Sequence, residues 1–182
     1  VVERTGLVEV DIEGGSIVRR IKAPEVGMPN DVAVDGAGGV WVSDMRGNRI
    51  YRLIEGALEV WLSGAAIEKP NGIHVLNDEL LIGVNGDQSV KAANLDTGEI
   101  RTVARLGEGI IDGVQDDGDG NIIVSHWEGR VFRIAPDGSV TRILDTSVLE
   151  EMSADIEYVP ERDLLVVPTF IGNRVTAYEV GP

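Results

Sequence analysis

Short apolar runs alternate with turn-forming residues along the chain, and the same arrangement returns about every 41 residues, at positions 30, 71, 112 and 154. The aligned segments are Met28–Val34, Lys69–Val75, Ile111–Asp116 and Ser153–Tyr158. Each is followed by an acidic or glycine turn and a second apolar run, namely Val40–Ser43, Leu80–Gly83, Ile122–Ser125 and Leu164–Val167. Runs of this length predict short buried strands.

A third run in each unit alternates apolar and polar residues, which is typical of a strand with one wetter face. These runs are Arg49–Leu53, Val90–Ala93, Arg130–Ile134 and Arg174–Tyr178. A fourth run closes three of the units, at Leu58–Leu62, Ile100–Val103 and Val140–Leu144. Four antiparallel strands in about 40 residues form one blade of a β-propeller. The pattern therefore predicts an all-β fold, a β-propeller of four-stranded blades.

The spacing divides residues 1–182 into blades of one propeller domain, with a partial first blade over 1–26 and blades starting near 27, 68, 109 and 152. About four and a half blades are expected, as part of a six-bladed ring. Both ends are incomplete by this template, which predicts a fragment; absent residues or closure by a second chain are the alternatives. Exposed blade edges invite strand pairing, so a homo-oligomer is also predicted.

Composition limits the partners of the chain. Its 31 acidic and 16 basic residues give a net charge of -15, which disfavours nucleic acid and anionic membrane surfaces and favours solubility or cation binding. There is no cysteine, so disulfides and thiolate chemistry are excluded. No apolar run approaches the roughly 20 residues of a membrane span. We expect a soluble protein that binds a small-molecule substrate, with the cytoplasm favoured as its compartment.

The first strand of a propeller blade lies innermost, so residues at its entrance crowd around one mouth of the central channel. Asn30, Asn71 and Asp112 occupy that position in three successive blades. Two amide oxygens and a carboxylate suit Ca²⁺ or Mg²⁺ better than a thiophilic metal. The alternative is that Pro-Asn-Gly and Pro-Asn-Asp are ordinary turn sequences.

Four further side chains near these positions have two interpretations. His126 ends a second strand, in a place judged equivalent to Asp44 and Asn85, and His74 lies within an inner strand. Both are candidate substrate-binding residues, against structural histidines held by hydrogen bonds. Asp31 and Asp155 neighbour the candidate ligands, and capping of backbone amides between blades is the favoured role for both.

At these motifs the sequence resembles the family of senescence marker protein (regucalcin) and bacterial gluconolactonases, metal-dependent six-bladed propellers that open sugar lactones. The resemblance rests on Pro29–Asp31, Gly39–Asp44, Pro70–Ile73, Asp112–Gly113 and Asp119–Val124. It implies that Asn71 and Asp112 ligate a divalent metal, with Ca²⁺ favoured and Zn²⁺ or Mg²⁺ as alternatives, and that Asn30 contacts substrate or metal-bound water. The family's remaining ligand is a glutamate whose strand would precede Val1, and Glu3 is a poor substitute for it.

The function implied is metal-dependent hydrolysis of a sugar-type lactone, in which the metal acts as a Lewis acid and Asp112 is the catalytic residue that accepts a proton. Asn30 and Asn71 would orient the substrate or stabilise the oxyanion. One alternative is a non-enzymatic binding or interaction module, because a propeller fold does not establish chemistry. Another is a propeller phosphotriesterase or lyase, which a catalytic histidine at the channel would favour.

Overall fold

The computed structural model describes residues 1–149 and 152–181, and these residues form five antiparallel sheets. The first sheet contains β1 (Val2–Glu3), β2 (Gly6–Asp11) and β3 (Ser16–Lys22). The second contains β4 (Pro29–Val34), β5 (Val40–Asp44), β6 (Arg49–Ile54) and β7 (Ala57–Ser63). The third contains β8 (Pro70–Leu76), β9 (Glu79–Val84), β10 (Ser89–Asn94) and β11 (Ile100–Arg105).

The fourth sheet contains β12 (Ile111–Asp116), β13 (Ile122–His126), β14 (Arg130–Ile134) and β15 (Val140–Asp145), and the fifth contains β16 (Glu157–Val159), β17 (Leu164–Pro168) and β18 (Val175–Glu179). Short 3-10 turns cover Ala65–Ile67, Ser147–Leu149 and Pro160–Arg162. Within the described ranges no helix is both long and apolar enough to cross a membrane.

Each sheet pairs its strands in chain order, so every sheet is an antiparallel meander. The inner strands β4, β8, β12 and β16 lie side by side in that order around the channel. This arrangement confirms the predicted all-β propeller. In the described part of the chain, three blades have four strands and two have three.

The second strand of each complete blade is buried on both faces, which explains its unbroken apolar run. Trp41, Leu81 and Ile123 on these strands are at most 1% exposed and pack into the clusters between blades. Burying a side chain of this size stabilises the fold by about 1.5–3 kcal/mol. Sheet-on-sheet packing of these strands therefore holds neighbouring blades, and their inner strands, in fixed positions.

A β-bulge occurs at the entrance of each inner strand of the complete blades. The pairing register shifts between Pro29 and Val32 in β4, between Pro70 and Ile73 in β8, and between Ile111 and Val114 in β12. The residues within these bulges are Asn30 and Asp31, Asn71 and Gly72, and Asp112 and Gly113. The three motifs therefore lie at strand entrances and not in simple turns. A bulge re-aims the side chains of its strand and often lies beside a functional site.

Glycine at the bulges allows the inner strands to approach one another. A Cβ on Gly72 would lie 1.9 Å from the backbone oxygen of Asp112, and neither backbone could accommodate it without moving. The bulge amides of Asp31 and Gly113 donate to the buried hydroxyls of Ser43 and Ser125, at 2.9 and 2.8 Å. The Gly72–Asp112 approach sets the distance between the third and fourth blades, and the serine bonds hold the bulges of the second and fourth blades in place.

The strand register corrects one expected equivalence. Asp44 and His126 pair with the first residues of their inner strands, Pro29 and Ile111. In the third blade Pro70 pairs with Val84, so Asn85 lies one position further along. This shift in register arises at the hairpin loops. The loop between β8 and β9 has two residues, whereas the corresponding loop between β4 and β5 has five. Asn85 therefore matches Met45 and Trp127, and not His126.

Candidate functional site

A pocket of about 440 Å³ opens at the end of the channel where the inner strands begin, and we call it the mouth pocket. Its residues are Met28, Asn30, Met45, Asn71, Ile110, Asp112, Trp127, Ala154, Asp155 and Phe170. The structure thus brings together Asn30, Asn71 and Asp112, which lie about 41 residues apart in sequence. Its volume is within the range of small-molecule sites.

Asn71 has a buried oxygen that lacks a partner. The residue is 3% exposed, and its Nδ2 donates to the backbone oxygen of Ile111 at 2.8 Å. This bond orients the amide, and no donor among the described residues reaches Oδ1. A buried acceptor without a donor costs about 1–3 kcal/mol. The side chain is therefore held in place with an oxygen available for a cation or a hydrogen-bond donor.

Asp112 lies beside Asn71 at the strand entrance. Burial and the negative charge of Asp155 raise the pKa of its carboxyl to about 6, while a hydrogen bond from the Asn71 side chain opposes the rise. A carboxylate that is destabilised by its surroundings attracts a cation, and one with a pKa near neutrality can accept and release protons. Either use is open to Asp112.

Asp31 caps backbone amides between blades, as predicted, whereas Asp155 caps, among the described residues, only the amide of the next residue in its own blade. Asp31 accepts from the amides of Val32 and Ile73, both at 2.7 Å, so one carboxylate bridges two blades. Burial and the Asp155 charge nevertheless raise the pKa of Asp31 to about 7. Asp155 accepts from the Ile156 amide at 2.9 Å. Its side chain is exposed, so the rise in its pKa comes from partial desolvation within the concave mouth and not from full burial.

The oxygen donors of Asn71 and Asp112 fit a hard cation such as Ca²⁺ or Mg²⁺, and the unpartnered Asn71 oxygen is the observation that supports this fit. They do not complete a cage: over residues 1–149 and 152–181, no three His, Asp or Glu side chains are arranged to hold a metal. Glu3 supplies no third ligand, because it lines a different pocket and bonds Thr5 and Arg20. The remaining ligands would have to be water or residues beyond those described.

The two histidines and Asn30 differ in their surroundings. His126 is fully buried, its ring lies 4.8 Å from that of Phe132, and neither ring nitrogen has a partner within the described structure. Burial and the nearby Arg130 lower its pKa, so the ring is neutral at pH 7. His74 bonds the Asp116 carboxylate at 2.8 Å. Neither histidine lines the mouth pocket, whereas Asn30 does, and it is partly exposed there.

Sequence reasoning missed the apolar side chains around the pocket, which we call the apolar rim: Met28, Met45, Ile110, Trp127 and Phe170. Met28 and Ile110 precede inner strands, while Met45, Trp127 and Phe170 follow second strands. The backbone amides of Met45 and Trp127 donate to Met28 and Ile110 across these positions. The available signal was an apolar residue immediately outside a strand, where a turn usually has a polar one.

Comparison with solved structures shows the same fold in proteins of different activity. The chain superposes on a catalytically inactive virginiamycin B lyase from Staphylococcus aureus, solved with quinupristin, with a TM-score of 0.74 and 14% identity over 92% of this chain and 57% of that one. It superposes on a chain of a nidogen/laminin complex with a TM-score of 0.78 and 16% identity, over 95% and 67%. A gluconolactonase from Xanthomonas campestris gives a TM-score of 0.73 and 20% identity, over 91% and 63%.

Among curated proteins no sequence matches the chain. The chain spans 57% of the lyase, so the similarity concerns part of a larger molecule. A family model is more specific: the SMP-30/gluconolactonase/LRE-like region matches residues 1–154, which include Asn30, Asn71 and Asp112. On this match the chain belongs to the SMP-30/gluconolactonase/LRE-like family.

Proposed function

We propose that this protein is a metal-dependent lactone hydrolase whose active site is the mouth pocket. The observation that carries the proposal is the buried, unpartnered oxygen of Asn71 beside the carboxyl of Asp112. Both features destabilise the empty site and are relieved by a bound cation. Membership of a family that includes gluconolactonases supports lactone hydrolysis as the reaction.

Asn71 and Asp112 are the proposed metal ligands, with Ca²⁺ favoured over Zn²⁺ or Mg²⁺ because both donors are hard oxygens. A divalent cation held by them supplies Lewis acidity at the lactone carbonyl. Asp112 also lines the pocket, where its carboxylate could take a proton from the attacking water. Asn30 has an amide that can donate to the carbonyl oxygen and hold the ring against this base.

The proposed substrate is a small lactone, with sugar-type lactones first among candidates because of the gluconolactonase resemblance. The net charge of -15 and the carboxyls of Asp112 and Asp155, which line the pocket, disfavour anionic substrates, and the nearby Asp31 carboxyl adds to this effect. The same charge argues against nucleic acid and anionic membranes as partners. A six-bladed ring, in which further strands complete the channel wall, belongs to this proposal.

Two other functions would use the same fold differently. A binding or interaction module would need no cation at Asn71 and Asp112, so metal titration distinguishes it from the hydrolase. A phosphotriesterase or lyase with a catalytic histidine would need one at the mouth, and among the described residues neither His74 nor His126 lines that pocket. The hydrolase is therefore the function that the geometry supports best.

The test measures the hydrolysis of D-glucono-δ-lactone and γ-butyrolactone by titrating the acid that is released. Each reaction is run with Ca²⁺, Mg²⁺ or Zn²⁺ and, separately, with EDTA. We expect turnover with a cation, none above the spontaneous rate with EDTA, and a kcat/KM about 100-fold lower in Asp112→Asn. Asp96→Asn, which removes one exposed carboxylate from an outer hairpin, is the matched control and should keep the wild-type rate. Wild-type rates in Asp112→Asn, or no turnover with any cation, would overturn the proposal.

A further inference from the structure

The mouth pocket has a polar floor and an apolar rim, and the two are separated in a regular way. The floor consists of the bulge residues Asn30, Asn71 and Asp112, together with Asp155, which precedes β16. The rim consists of residues just outside the strands. A ligand that fills the pocket must therefore present a polar group inward and an apolar group outward.

The rim is strongest on the side of the fourth and fifth blades. The rings of Trp127 and Phe170 meet edge to face with centroids 5.3 Å apart, and Phe170 is 65% exposed. Ile110, beside them, is 38% exposed. Aromatic rings at this spacing interact favourably and also offer their faces to a further ring. Apolar side chains left in water at the edge of a concave pocket indicate a ligand that covers them.

The third blade breaks the rim. At the positions that Met28 and Met45 occupy in the second blade, and Ile110 and Trp127 in the fourth, the third blade has Lys69 and Asn85. The backbone pairing is the same in all three blades, because the amide of the later residue donates to the oxygen of the earlier one. The apolar character is thus not a requirement of the fold at these positions.

Building on the proposed function, we infer that Trp127 and Phe170 form a subsite for an apolar, preferably aromatic, substituent of the substrate. Within the proposed lactones, the preferred substrate is then a neutral one that carries such a group, and a lactone without an apolar substituent binds more weakly. Charge supports this preference for a neutral ligand, because the carboxyls of Asp112 and Asp155 line the pocket and disfavour an anion. The unpartnered Asn71 oxygen indicates that the polar end, directly or through a cation, meets the floor.

The test compares the binding of γ-phenyl-γ-butyrolactone and γ-butyrolactone to metal-free protein, by calorimetry and by tryptophan fluorescence. The two probes differ by one phenyl ring, and without a cation no turnover complicates the titration. We expect the phenyl compound to bind on the order of tenfold more tightly. Trp127→Ala and Phe170→Ala should each reduce this ratio to about threefold or less. Ile12→Ala, which truncates a 90% exposed side chain in the first blade, should leave the ratio unchanged.

Equal affinities for the two probes, or an undiminished ratio in both alanine variants, would overturn the subsite. This readout does not depend on hydrolysis. If the phenyl preference is present but no lactone is hydrolysed with any cation, the subsite stands and the hydrolase proposal fails. If sugar lactones are hydrolysed while the phenyl compound shows no preference, the hydrolase stands and the subsite fails.

Discussion

The second and fourth blades have different residues at matching positions around the mouth. Comparing them distinguishes side chains that stabilise the fold from side chains that are available to bind a ligand. At the second-strand end, Asp44 in one blade accepts hydrogen bonds from the amides of Gly27, Met28 and Gly47, whereas His126 in the other makes none with its ring nitrogens in the described structure. Both side chains are fully buried. At this position the second blade therefore uses its polar side chain to hold its loops, and the fourth leaves the ring nitrogens of its polar side chain unpaired among the described residues.

The bulges show the same contrast. In the second blade the Asp31 carboxylate is occupied by two backbone amides from two blades. In the fourth blade glycine stands at that position, and the neighbouring Asp112 receives no backbone hydrogen bond from the described residues. Asp112 is thus the acid available to a ligand. The comparison predicts that acids of the second blade matter for stability and that Asp112 matters for binding.

The largest expected effect on stability is that of Asp44→Ala. It leaves three backbone amides without their acceptor, and we expect the free energy of unfolding to fall by about 3 kcal/mol. Urea unfolding measures it, with Asp35→Ala as control, because Asp35 accepts two amides in an exposed hairpin turn. If Asp44→Ala lowers the free energy of unfolding no more than Asp35→Ala does, Asp44 does not have the structural role that we assign to it.

The next effect is on the pH dependence of stability, to which both blades contribute. Asp31 and Asp112 have pKa values raised to about 7 and about 6, so the folded, metal-free protein keeps protons that the unfolded chain has released above pH ~4. This stabilisation is complete at low pH and is lost as the pH rises through about 6 and 7. We expect the free energy of unfolding to fall by roughly 2 kcal/mol between pH 5 and 7.5, allowing for solvent screening.

Asp155 sharpens that prediction, since its charge raises the pKa of both Asp31 and Asp112. Asp155→Asn keeps an oxygen for the Ile156 amide and should flatten the fall in stability. Glu13→Gln removes an exposed charge from a turn of the first blade and should leave the slope unchanged. Equal slopes in both variants would mean that the three carboxyls at the mouth do not interact.

The smallest effect is expected from His126→Leu. The substitution fills a similar volume without the two unpartnered nitrogens, so stability should rise by about 1 kcal/mol. Thermal or urea unfolding of this variant measures the change. A clear loss of stability would show that the imidazole makes a contact that its apolar surroundings do not suggest, and the contrast with Asp44 would then weaken.

Much of this arrangement could be predicted from the sequence, because the unbroken apolar second strands and the 41-residue spacing both follow from the blade. The 41-residue spacing alone was enough to predict that Asn30, Asn71 and Asp112 lie together at one mouth of the channel. It failed for Asn85, because the two-residue turn at Asn77 and Asp78 shifts the register by one position. It also missed Trp127 and Phe170, since an apolar residue beside a strand reads as part of the strand. The sequence pattern also could not predict that Asn71 Oδ1 lacks a hydrogen-bond partner among the described residues, because this depends on interatomic distances in the folded structure.

Calorimetric titration of Ca²⁺, Mg²⁺ and Zn²⁺ into metal-stripped protein tests the central claim most directly, with wild type compared with Asp112→Asn. The account predicts micromolar or tighter binding of at least one cation to the wild type and a loss of about 100-fold or more in the variant. Asp96→Asn should bind as the wild type does. Absence of binding in the wild type, or equal binding in Asp112→Asn, would contradict a metal site at Asn71 and Asp112.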